Sequence, residues 1–100
     1  MYQYAGYYKR HQATYISDVR VGRCSVLGSL ERVKTIITKN DKKMIFATLK
    51  DETGTISLTV FSDFYLDFKD IPLGSIIFVQ GHAEYRNNEM QMVVEQYKVL

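Results

Sequence analysis

Two long runs with strand character, Arg23 to about Ile37 and Ile76 to Arg86, each carry a glycine in their interior, Gly28 and Gly81. Strands of that length rarely stay flat, and an interior glycine lets a strand bend sharply or another backbone approach closely. The expectation is that these strands coil and pair in two directions. The sheet would then close on itself and remove its exposed edges.

The remaining punctuation supplies three more strands and one helix. Thr38-Lys39-Asn40-Asp41-Lys42-Lys43 is a polar, basic loop. Met44 to Lys50 reads as the second strand and Thr55 to Phe61 as the third, joined by the turn Asp51-Glu52-Thr53-Gly54, where Gly54 is expected to take a positive φ. Strict alternation sends Ile56, Leu58 and Val60 to one face, and Ile45, Ala47 and Leu49 fit the same core. Met44, Phe46 and Thr48 then point outward. Ser62 or Asp63 can cap a short helix running to about Lys69, whose Phe64, Tyr65 and Phe68 would plug one end of the barrel. Pro72-Leu73-Gly74 stops that helix. Asn87-Asn88 makes a tight hairpin into a last strand, Glu89 to Leu100.

Three strands, a short helix and two more strands is the order of an OB-fold. The predicted class is therefore all-β, a five-stranded OB-fold Greek-key barrel with a short helix between strands three and four, over residues 22–100. An open antiparallel sheet with one packed helix is the other architecture, and it leaves the bends at Gly28 and Gly81 unexplained. Residues 1–21 form a tyrosine-rich lead-in, with Tyr2, Tyr4, Tyr7, Tyr8 and Tyr15 among Lys9, Arg10 and His11. They read as an arm docked on this domain or on a larger parent, with stacking on bases as the alternative.

Several function classes fall away. No apolar run approaches the ~20 residues that cross a bilayer, and no secretory signal is visible, so no membrane partner is expected and the location is expected to be cytoplasmic. Cys24 is the single cysteine, which rules out an internal disulfide and a cysteine-based zinc site; its neighbours suggest a buried thiol. His11 and His82 are read as surface histidines, so no metal and no cofactor is expected. No nucleophile with a base, no paired carboxylates and no phosphate-binding glycine loop occur, and neither catalysis nor a small-molecule substrate is expected of this domain. Asp51-Glu52 reads as part of a turn.

Charge is more informative in its distribution than in its net value of +2. Residues 1–50 hold ten lysines and arginines against three acids, and residues 51–100 three against eight. The basic excess falls on strand one, its loop and strand two, where an OB-fold binds its ligands. Arg32 and Lys34 lead into the loop, Lys39, Lys42 and Lys43 lie in it, and Tyr85, Arg86 and Asn87 mark the last hairpin. Between them stands Phe46. An exposed phenyl ring there can stack on a nucleobase; alternatively a β-bulge reverses the phase and makes Phe46 a core residue. Thr48, Ser57 and Thr59 on the same face could bond base edges; alternatively they are the small polar residues that any wet sheet face carries. Asp63, Asp67 and Asp70 are expected on the helix, away from that face.

The stretch from Thr38 to Ile56, with its Thr38-Lys39 turn, Met44-Ile45-Phe46 strand, Leu49-Lys50-Asp51 ending, Gly54 turn and Val60-Phe61 close, resembles the OB domain of the bacterial replicative DNA polymerase III alpha subunit. Val79-Gln80-Gly81 and Met90-Gln91-Met92-Val93 extend the resemblance over roughly residues 20–100. It implies an excised domain of a DNA polymerase that contacts single-stranded template DNA without catalysing the reaction, in a parent that also meets other replisome subunits. The anticodon-binding domains of class II aminoacyl-tRNA synthetases are similar to a lesser degree. In them the residue matching Phe46 stacks on an anticodon base, and glutamine usually stands where this chain has Ser57. A protein-docking module and a tRNA-binding domain are the alternative functions.

Overall fold

The computed structural model describes residues 13–100. Tyr2, Tyr4, Tyr7, Tyr8, Lys9, Arg10 and His11 lie outside them. Five strands, β1 (Gly22–Ile37), β2 (Lys43–Asp51), β3 (Gly54–Val60), β4 (Ile76–Arg86) and β5 (Glu89–Val99), close into a barrel in the order β1-β2-β3-β5-β4. All neighbours are antiparallel except β3 and β5. No helix among the described residues is long and apolar enough to cross a membrane.

The two interior glycines sit where the expectation placed the bends. β1 pairs with β4 through Gly22–Ser29 and with β2 from Ser29 onward, so one strand serves both sides of the closure. At this handover a Cβ on Gly28 would run into the Lys50 carbonyl, 2.9 Å from its carbon. On Gly81 it would run into the Val93 carbonyl of β5. Each bend also carries a bulge: β1 slips past β2 at Glu31, and β5 slips past β4 at Glu95. An extra residue in one strand raises the local twist, which helps a short sheet to close.

Inside lie Val26, Leu30, Ile45, Ala47, Leu49, Ile56, Leu58, Val60, Ile77, Val79, Ala83, Met92 and Val94, all at most 3% exposed. The alternation read for the second and third strands is therefore correct. The barrel end is closed by Phe68, fully buried, whose ring meets the edge of Tyr97 at 5.2 Å, with Phe64 also against Tyr97 at 6.0 Å. Burial and the nearby Asp67 carboxylate push the Tyr97 phenol above its usual pKa. Cys24 is half-buried with its Sγ 3.9 Å from Met92 Sδ, and burial pushes its thiol up.

Two local expectations are corrected. The helix is a 3-10 turn, Ser62–Phe64, followed by the single α turn α1 (Tyr65–Phe68). Neither Ser62 nor Asp63 caps it: the chain leaves β3 extended at Phe61, which takes the cap position and offers no polar side chain. Nor does Gly54 take a positive φ; among the described residues the glycines that do are Gly22 and Gly74. The turn is shaped instead by Asp51, whose Oδ1 accepts from the Thr53 N–H at 2.7 Å, the Thr53 hydroxyl at 2.5 Å and the Gly54 N–H at 3.1 Å. An aspartate that organises its own turn removes the need for left-handed backbone. Asn87 and Asn88, with φ of 55° and 65°, do make the expected tight hairpin.

Asp51 has a second task. Its Oδ2 accepts from the Ile16 N–H at 2.8 Å, and Ser17 N–H donates to Thr53 Oγ1 at 3.0 Å. Thr14 bridges to Val26, while Ile16 and Val19 join the core. Residues 14–19 thus pack onto the barrel, as one of the two dockings expected of the lead-in has it.

Candidate nucleic-acid interface

The register of β1, β2 and β3 arranges the outward side chains in rungs across one sheet face. Arg32 pairs with Thr48, which pairs with Ser57, which meets Gln91 of β5. One step along, Lys34 pairs with Phe46 and Phe46 with Thr59. Directly opposed side chains on one face lie about 4.5–5.5 Å apart at Cβ. Each rung therefore brings a cation beside two groups that can meet a base.

Phe46 is 42% exposed, and β2 runs against β3 without a register slip. The ring is an outward platform and not a core residue. The bulge that could have reversed it lies instead in β1, at Glu31, and leaves Arg32 and Lys34 on the outer face beside Thr48 and Phe46. These residues line an open groove of about 440 Å³: Arg32, Lys34, Phe46, Ala47, Thr48, Ser57, Thr59, Arg86 and Gln91. Six of the sequence-derived candidates, Arg32, Lys34, Phe46, Thr48, Ser57 and Arg86, thus come together. Arg86 Nη2 is 3.5 Å from Glu84 Oε1, an exposed pair worth little in stability but able to offset the cation's field.

Five candidates do not line this groove. Tyr85 and Asn87 are exposed at the last hairpin. Lys39 and Lys42 sit beyond it, in a loop held by hydrogen bonds between Thr38 and Lys42 and by Asp41 in the left-handed region at φ 59°, and Lys43 follows at the start of β2. Lys43 Nζ lies over the Tyr65 ring at 5.4 Å, a cation–π contact. Lys42 shares a second pocket with Asp63, so this carboxylate is not remote from the basic face as expected. Helix and loop are neighbours because the chain turns at Phe61 directly after pairing with the start of β2.

Gln91 was missed. It reaches the groove through the parallel pairing of β3 with β5, which joins segments far apart in the chain and leaves no mark on local alternation. The bulge at Glu31 did leave a mark: Leu30 and Val33, both against the core, are three residues apart, a spacing that a regular strand cannot put on one face. Among the described residues no cluster of three or more histidines, cysteines, aspartates or glutamates could hold a metal.

Known proteins share both the sequence pattern and the fold. Residues 24–100 match the family described as OB-fold nucleic acid binding domain. The chain is 32% identical over 72 residues to the DNA polymerase III subunit alpha of Bacillus subtilis, covering 71% of this chain and 6% of that protein. It is 35% identical over 86 residues to that of Borreliella burgdorferi, covering 81% and 8%. The chain thus spans under a tenth of the length of these relatives. In structure it is similar to a domain of replication protein A from Methanococcus maripaludis, with a TM-score of 0.74 and 17% identity over 88% of this chain and 94% of that one. A mitochondrial single-stranded DNA binding protein from S. cerevisiae gives 0.66 and 14% over 82% and 97%. At these identities the likeness is one of fold.

Proposed function

Because the chain belongs to the family of OB-fold nucleic acid binding domains, we propose that it holds single-stranded DNA across the outer face of β1, β2 and β3, without catalysis. In this reading it is part of a bacterial replicative polymerase alpha subunit, works in the cytoplasm, and meets other replisome subunits through its parent. The observation that carries the proposal is the rung Lys34–Phe46–Thr59: an exposed ring in a groove, with an ammonium group on one side and a hydroxyl on the other. A base stacked on Phe46 covers apolar surface that water otherwise meets, and Arg32, Lys34 and Arg86, which line the same groove, supply positive charge for the phosphates.

The test is fluorescence anisotropy with a labelled oligothymidylate at low salt, comparing the chain with Phe46→Ala. Stacking worth ~1–3 kcal/mol per base predicts binding weaker by about five- to 150-fold in the variant. Because the ring is already partly exposed, the fold should survive the change. Undiminished binding by Phe46→Ala, or no binding by the parent chain, refutes the assignment.

A further inference from the structure

The sheet face continues one rung past Phe46, and this rung is apolar. On β1 and β2, Ile36 pairs with Met44. Phe61, one residue past the pair Ile45–Val60, follows on the same side as Met44 and is 46% exposed. Met44 and Phe61 floor a second pocket of about 430 Å³, walled by Asn40 and Lys42 of the basic loop and by Asp63 of the 3-10 turn. Phe46 lies two residues along β2 from Met44, about 6.8 Å, which is twice the ~3.4 Å step of a stacked strand. A single strand drawn out to that spacing places one base on Phe46 and the next over Met44 and Phe61.

From this arrangement we infer that the second pocket is a base-reading subsite selective for guanine. The inference rests on the proposed single-strand track and extends it. A carboxylate repels phosphate, so Asp63 serves a base edge. Guanine has two adjacent donors on its pairing edge, the ring N–H and the amino group, which match the two oxygens of a carboxylate. Its O6 stands beside them as an acceptor for the Lys42 ammonium. Cytosine and adenine offer one amino donor next to a ring acceptor, and thymine one donor between two carbonyls. Each of the three can give the carboxylate one hydrogen bond beside the cation, whereas guanine gives it two.

The experiment uses short oligothymidylates carrying one guest base, guanine, inosine, adenine or thymine, measured by anisotropy against the chain, Asp63→Asn and Phe61→Ala. A bidentate contact predicts guanine binding at least about fivefold tighter than thymine. Inosine, which lacks the amino group, should lose most of that gain. Asp63→Asn should abolish the preference while the all-thymine oligomer binds at least as tightly as before. Phe61→Ala should weaken the guanine oligomer most, with its melting curve reporting that the chain is folded. Amide chemical shifts of Asn40 and Ser62 should move further with the guanine oligomer than with the all-thymine one. Equal affinity for all guests, or a preference that persists in Asp63→Asn, overturns the subsite while leaving the Phe46 track standing. No binding of any oligomer overturns both.

Discussion

Salt dependence separates the groove cations from the loop cations. Each phosphate neutralised on a single strand contributes about −0.7 to the slope of log affinity against log salt. Among the described residues no carboxylate pairs with Arg32 or Lys34, which line the groove, while Arg86 is offset by Glu84 at 3.5 Å. The double variant Arg32→Gln/Lys34→Gln should therefore flatten the slope for an oligothymidylate by about 1.4, and weaken binding most at low salt. The loop variant Lys39→Gln/Lys42→Gln/Lys43→Gln removes one more charge, yet should flatten it by less. Lys43 lies over the Tyr65 ring and Lys42 faces a pocket it shares with Asp63. The assay is an anisotropy titration at four or more salt concentrations for each protein. A larger slope change in the loop triple than in the groove pair would show that the strand runs over the loop, and would refute the groove assignment.

Two further outcomes concern the frame that holds the groove. Gly81→Ala drives a methyl group into the Val93 carbonyl at a bulge, an overpacking of about 1–3 kcal/mol that should lower the melting temperature by about 4 °C or more; Gly54→Ala, whose added Cβ would meet, among the described residues, only Ile16 Cγ2 at 3.9 Å, should change it little. Asp51→Asn puts an amide where a carboxylate accepts from Ile16, Thr53 and Gly54, so one donor faces another, at about 1–3 kcal/mol. Thermal melts should show the loss, and hydrogen exchange should quicken at the Ile16 amide before the barrel strands.

What could be read from the sequence was whatever has a short period. Ile45, Ala47 and Leu49 against Ile56, Leu58 and Val60 fixed the core face, and with it the outward aim of Phe46. Glycines inside strands announced the bends. Features set by contacts distant in sequence were hidden: Gln91 entering through a parallel pairing, and Ile16 docking on Asp51 from 35 residues away. The charge count misled in one respect. Lys42 and Lys43 belong to the basic half of the sequence, but the turn at Phe61 folds an acidic and aromatic segment back against them.

The bends and the binding face are consequences of one arrangement. Gly28, the handover at Ser29 and the bulge at Glu31 follow one another within β1, immediately before Arg32 and Lys34. Up to the handover β1 belongs to its pairing with β4; beyond it, the strand lies along β2 and presents its cations beside Thr48 and Phe46. Gly81 and the bulge at Glu95 do the same on the other side of the barrel, where β5 leaves Gln91 and turns to bring Tyr97 onto Phe68. A strand that did not bend at Gly28 would keep its regular alternation but lose its second partner, and the rungs across β1, β2 and β3 would not exist. The cations stand beside Phe46 because the barrel closes.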